Sequence, residues 1–215
     1  MIETCDLVFD CLDGHAEPYA ITPTLMFNLR IAEVTGATIE AIALRVQIRI
    51  EAQRRRYAPE EADRLLEIFG ETTRWGDTLK PLHFANLTLM APRFTGSIET
   101  ELAVPCTYDF EVASTKYFHA LEDGEIPLLF LFSGTVFMKS ENGFSVTQVP
   151  WNKEASFRLP ARVWREAMDA SFPGSGWVRL RRETIDALQR FKARQAMTSW
   201  DQALTALLAR GGEEA

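Results

Sequence analysis

The sequence lacks any apolar run long enough to cross a bilayer. Its longest, Ile126 to Met138, is about 13 residues and is broken by Ser133, Gly134 and Thr135, whereas a spanning helix needs roughly 20. Cysteine is scarce as well. Cys5, Cys11 and Cys106 cannot all pair, and the opening MIETCDLVFD carries acids where a secretory signal carries a basic segment and an apolar run. A cytoplasmic location with reduced thiols is therefore expected. The three cysteines form no CxxC, and the contexts of His15, His83 and His119 (HAEP, HFAN, HALE) lack the HExxH spacing that puts two imidazoles on one helix face. No metal is expected. No cofactor is expected either: GSGWVR, residues 174 to 179, has Arg179 where a dinucleotide fingerprint has its third glycine, no Walker lysine follows, and no serine sits in a GxSxG elbow.

Positive charge is in the minority. With 23 basic against 30 acidic side chains the net charge is -7, which repels nucleic acid and anionic membrane unless the basic groups are strongly segregated. Neither nucleic acid nor membrane insertion is expected. With 47% apolar residues in 215, the chain can bury a substantial core without staples.

What is present is a period of two. Ile42, Leu44, Val46, Ile48 and Ile50 alternate with Ala43, Arg45, Gln47, Arg49 and Glu51, which predicts a strand with one dry and one wet face. Similar alternation marks Leu7-Phe9, Leu25 to Ile31, Leu87-Leu89, Ile98 to Val104 and Tyr108-Phe110-Val112. The stretch YFHALEDGEIPLLFLFSGTVF, residues 117 to 137, reads as a tight turn at Asp123-Gly124 feeding a strand covered on both faces. FSVTQV, residues 144 to 149, is its hairpin partner through Glu141-Asn142-Gly143.

Helical signals are fewer. APEEADRLLEIFG, residues 58 to 70, has Pro59 in the first turn, acids at the positive end of the dipole and Gly70 past the last apolar residue. After Trp151, helical spacing covers 160–170, 182–197 and 200–209, the last begun by the capping pair Ser199 and Gln202. The fold class expected is mainly β: an antiparallel, Ig-like or C2-like β-sandwich with one inserted short helix and a C-terminal helical segment. The sandwich is expected over 1–150, helices packed on it over 151–210, and a frayed tail over 211–215.

Candidate site residues are few. Asp109 and Glu111, two apart in the expected strand, share a face where paired carboxylates can split into acid and base, and His119 follows. This polar cluster is the enzyme alternative, against the plainer reading of cross-strand ion pairs on a wet face. Cys106 and His119 are the first residues to consider for a metal site, although a buried core thiol explains Cys106 at less cost. Arg54-Arg55-Arg56, between Glu51 and Glu60-Glu61, reads as a neutralised surface. Five tryptophans lie in segments joining strands to helices, and Trp177 beside Arg179 and Arg181 has the composition of a binding hot spot, weighed against a role in pinning helices to a sheet.

Together, IALRVQIRIEAQRRRY, FGETTRWGDTL, VPCTYDFEVASTKYFHALEDGEIPLLFLFSGTVF and FPGSGWVRLRRETIDALQRFKA resemble an uncharacterised bacterial protein family whose genes are often found beside those of nickel-iron uptake hydrogenases. The resemblance spans almost the whole chain and transfers no catalytic residue. It implies an accessory role in making, stabilising or operating a hydrogenase. The expected function is a non-enzymatic accessory or adaptor protein binding a hydrogenase subunit or maturation factor through Trp177, Arg179 and Arg181. The alternatives are an enzyme around Asp109, Glu111 and His119, or a small-ligand carrier.

Overall fold

The structure, a computed structural model, describes residues 5–107, 109, 112–140, 143–175 and 178–212. Residues 1–177 make one compact unit and 178–215 another.

The alternating segments pair as two antiparallel sheets. Strands β1 (Leu7–Ala16), β2 (Thr24–Glu33) and β3 (Thr38–Ile50) open the chain. The helical pieces α1 (Pro59–Arg64), α2 (Leu66–Phe69) and α3 (Trp75–Thr78) follow, then β4 (Leu82–Ala91), β5 (Phe94–Thr95) and β6 (Ser97–Pro105). Helix α4 (Ala113–Ala120) leads into β7 (Glu125–Ser140), β8 (Gly143–Gln148), β9 (Glu154–Pro160) and α5 (Ala161–Ser171). One sheet has the order β1-β2-β6; the other runs β4-β3-β7-β8, with β5 paired to β3 and β9 to β7. Their apolar faces meet: Phe9 stacks on Phe132 with ring centroids 4.2 Å apart, and Phe27 meets Phe130 edge-on at 5.2 Å. The chain is an antiparallel β-sandwich, with Leu25, Phe27, Leu29 and Ile31 of β2 and Ile42, Leu44, Val46, Ile48 and Ile50 of β3 buried on its inner faces.

The sheets require glycine at one close approach. Gly134 in β7 faces Leu44 in β3, and a Cβ built there would sit 2.2 Å from the Ala43 carbonyl oxygen at φ +149°. The turn before β7 also forms as the sequence predicts, with Gly124 at φ 80°. In β7, Phe130 is fully buried and Leu129 nearly so. Leu131 is half-buried, because its register opposite Gln47 and Glu154 puts it on the outer face.

Four expectations change. The strand expected over Tyr108, Phe110 and Val112 is not formed at Asp109 or Val112: the Thr107 hydroxyl accepts the Asp109 N–H at 3.1 Å, the Val112 N–H donates to Asp109 O at 2.9 Å, and α4 starts at Ala113, while Tyr108 and Phe110 lie outside the described residues. Side-chain turn chemistry overrides the alternation here. The inserted helix over 58–70 forms as α1 and α2 interrupted at Leu65, with α3 and two short 3-10 turns as further helical pieces. Strand β9 lies where no strand was expected, although Ala155, Phe157 and Leu159 alternate with polar residues. With β9 in the large sheet and α5 packed on β1, β2 and β9, the first unit reaches residue 177 rather than 150.

The second unit holds α6 (Arg182–Arg194) and α7 (Trp200–Gly211), which contact each other. Helix α7 begins with the expected capping pair: Gln202 N–H donates to Ser199 Oγ at 3.1 Å, and Gln202 Oε1 accepts from Ser199 N–H at 3.4 Å. Gly212 ends it in the left-handed conformation, and of the expected frayed tail residues 213–215 lie outside the described residues.

Candidate functional site

Of the sequence-predicted residues, Glu111 and Trp177 lie outside the described residues. Asp109 lies half-buried in the turn before α4, not on a strand, so the shared-face argument for Asp109 and Glu111 no longer holds. His119 is near the end of α4 with its ring edge-on to Trp164 at 6.3 Å, and burial, with the nearby Arg64 charge, lowers its pKa. Arg179 and Arg181 are exposed at the start of the second unit. Burial pushes all three thiols up, Cys5 to about 11 and Cys11 and Cys106 to about 12, which keeps them protonated near neutral pH. Thiolate chemistry is disfavoured at each. Among the described residues, no group of three or more His, Cys, Asp and Glu side chains is placed to hold a metal ion.

A buried polar network ties the helical insertion to the turn before β7. The Arg55 guanidinium, 8% exposed, donates to Glu61 Oε1 at 2.5 Å, to Asp123 O at 2.6 Å and to Glu125 O at 3.2 Å. Glu61 also accepts the N–H groups of Ala58 and Glu122 at 3.1 and 3.0 Å. Beside it the Tyr57 and Tyr117 hydroxyls are 2.8 Å apart, and Tyr57 donates to Ala52 O at 2.7 Å. Burial is the main cause that pushes both phenols up, Tyr57 to about 12 and Tyr117 higher still. The carboxylate is occupied by three donors and the phenols stay neutral, so the network is a clip between two loops. Arg55 is thus neutralised as the Arg54-Arg55-Arg56 pattern suggests, but inside the protein. The partner main chain, some seventy residues away, has no local signal.

The outer face of the large sheet is different. In register across β3, β4 and β7 it presents Ala43 with Met90 and Thr135, Arg45 with Thr88 and Ser133, and Gln47 with Asn86 and Leu131. Two shallow grooves of about 370 and 560 Å³ share Arg45 and Thr88. Arg45 is exposed and, among the described residues, makes no ion pair, whereas Arg49 on the same face lies 3.6 Å from Glu51. Among the described residues, neither arginine makes the cross-strand ion pair of the plainer expectation. Short side chains around one long, forked cation give a platform with directional donors and little of its own bulk. Gln148 on β8 extends the polar row by donating to Thr135 Oγ1 at 3.2 Å. Alternation in Ile42 to Glu51 identified the wet face, but which residues of β4 and β7 complete it depends on register.

The family model for a family of unknown function, DUF6084, matches residues 4–215. The chain belongs to that family. None of the curated proteins matches it. Among solved structures, the chain is similar to the CARDB domain of a Pyrococcus furiosus protein in complex with di-metal ions: 12% identity, TM-score 0.30, covering 74% of this chain and 94% of that one. It is similar to the putative ApaA protein of Bordetella pertussis at 14% identity and TM-score 0.26, over 74% of this chain and 96% of the other. A third is beta-glucosidase 3B of Thermotoga neapolitana with α-D-glucose, at 13% identity and TM-score 0.25, where 72% of this chain covers 17% of the enzyme. Among the described residues, no helix is long and apolar enough to cross a membrane.

Proposed function

We propose that this DUF6084 protein is a non-enzymatic cytoplasmic adaptor whose protein partner sits on the outer face of the large sheet. The observation that supports this is Arg45: an exposed guanidinium without an ion pair among the described residues, ringed by Thr88, Ser133, Gln47 and Asn86, with Met90 64% exposed at the rim. A partner carboxylate or main-chain carbonyl fits the fork, and an apolar side chain covers Met90. Strand pairing fixes the platform, so little ordering opposes binding. The gene-neighbourhood resemblance makes a hydrogenase subunit or maturation factor the first partner to test. Affinity capture from native extract with wild type and Arg45→Glu is the experiment. A defined partner recovered by wild type and lost with Arg45→Glu, at an unchanged thermal midpoint, supports the reading. Equal recovery by both proteins overturns it.

A further inference from the structure

Charge is segregated along the chain. Residues 178–215 contain seven basic and five acidic side chains, a net of +2, and residues 1–177 carry the opposite sign at -9, which together give the total of -7. The same short unit displays apolar side chains. Helix α7 presents Trp200, Leu204 and Leu208 at 45%, 43% and 45% exposure, and their spacing of four places them on one ridge. Ile185 on α6 is also exposed, and Val178 and Leu180 alternate with Arg179 and Arg181 ahead of α6. Ala203 is the one side chain of α6 and α7 that is fully buried. Helices of 13 and 12 residues are marginal in water, so cover over their apolar surface adds to their stability.

Cations border the ridge. Lys192 Nζ lies 5.5 Å over the Trp200 ring, and Arg210 follows Leu208 by two residues while its guanidinium covers Phe191 at 5.1 Å. An apolar ridge of Trp and Leu with a basic rim is the composition of a helix lying in a headgroup boundary. A nucleic acid would satisfy the cations but leave the ridge in water. A folded acidic protein needs a groove shaped to the ridge, whereas a fluid leaflet conforms to any convex surface. The acidic remainder is repelled by an anionic leaflet, which orients attachment through the helical unit alone.

We propose that residues 178–212 form an interfacial module that docks on anionic lipid, with Trp200, Leu204 and Leu208 at the acyl boundary and Arg179, Arg181 and Lys192 on the headgroups. This goes beyond the adaptor reading, which concerns the sheet face and can fail independently. The test is co-sedimentation of the full chain with vesicles of phosphatidylcholine alone and of equimolar phosphatidylglycerol and phosphatidylcholine. Binding to the anionic vesicles is expected to exceed binding to the neutral ones at least about tenfold and to weaken with salt. Arg179→Gln with Arg181→Gln should weaken it by about 25-fold, roughly fivefold per charge. Leu204→Ser with Leu208→Ser should abolish it. The arginine variant lies outside the helices, so it stays informative if the leucine variant loses helicity by circular dichroism. Absence of sedimentation with anionic vesicles, equal sedimentation with both kinds, or full retention by the arginine variant overturns the proposal. Self-association in ultracentrifugation without vesicle binding also overturns it, since the ridge would then be covered by a second copy.

Discussion

Replacing Glu61 by glutamine probes whether the clip between the helical insertion and the β7 turn holds the fold together. In the native protein the Arg55 charge is 8% exposed and its strongest partner is Glu61 Oε1 at 2.5 Å. Glutamine keeps the shape but removes the compensating charge, and an amide oxygen is a weaker acceptor for Arg55 and for the Glu122 N–H at 3.0 Å. Breaking a buried pair from one side costs about 3 to 5 kcal/mol. Because Asp123 O and Glu125 O still accept from Arg55, at 2.6 and 3.2 Å, the lower end, about 3 kcal/mol, is expected. Replacing both residues, Arg55→Met with Glu61→Leu, removes both buried charges, so its cost should fall below the sum of the single losses by at least about 1 kcal/mol. Urea unfolding followed by tryptophan fluorescence measures both quantities, with a constant m-value as the check that the denatured state is unchanged. A loss under about 1 kcal/mol for Glu61→Gln, or strict additivity in the cycle, would refute the buried-pair argument.

Phe130→Ala should cost about 3 to 5 kcal/mol in the same assay, because the ring is fully buried between the sheets against Phe27; a loss near that of a surface substitution would remove it from the core. Gly134→Ala should cost at least about 1 to 3 kcal/mol, since its Cβ would overlap the Ala43 carbonyl and β3 and β7 would have to separate; an unchanged midpoint would contradict the register. Glu33 is buried, which opposes its ionisation, but hydrogen bonds from the Thr35 hydroxyl and from the N–H groups of Asp6, Thr35 and Ala37 prevail and lower its pKa. A lowered folded pKa gives stability that is full above the unfolded value of about 4.5 and is lost as pH falls through the folded value. Glu33→Gln should therefore flatten the acid limb of a stability profile recorded between pH 6 and about 2; an identical acid limb in both proteins would refute the assignment.

Much of the sandwich was legible from the amino-acid order alone, because a strand with one covered face writes its environment into every second residue. Ile42 to Glu51, Leu25 to Ile31 and the apolar β7 needed no partner to be recognised, and Ser199 with Gln202 marked the start of α7 because a helix cap is satisfied within four residues. Local pattern failed where non-neighbours compete. Past Phe9, β1 carries a bulge between Cys11 and Asp13 that breaks its alternation. After Cys106, the Thr107 hydroxyl accepts the Asp109 N–H, and α4 begins at Ala113 where no helix was expected. The candidate surfaces divide the same way. Alternation assigned Arg45 to a wet face, but the register decides that its cross-strand neighbours are Thr88 and Ser133, neither of them a carboxylate. Arg55 reads as one of three surface arginines until residues 121–125 fold back over it. The basic excess after residue 177 was countable in the sequence, yet whether Trp200, Leu204 and Leu208 were covered was decided by packing. Hydrogen bonds and caps within a few residues are fixed by sequence; burial and charge pairing belong to whatever the fold brings alongside.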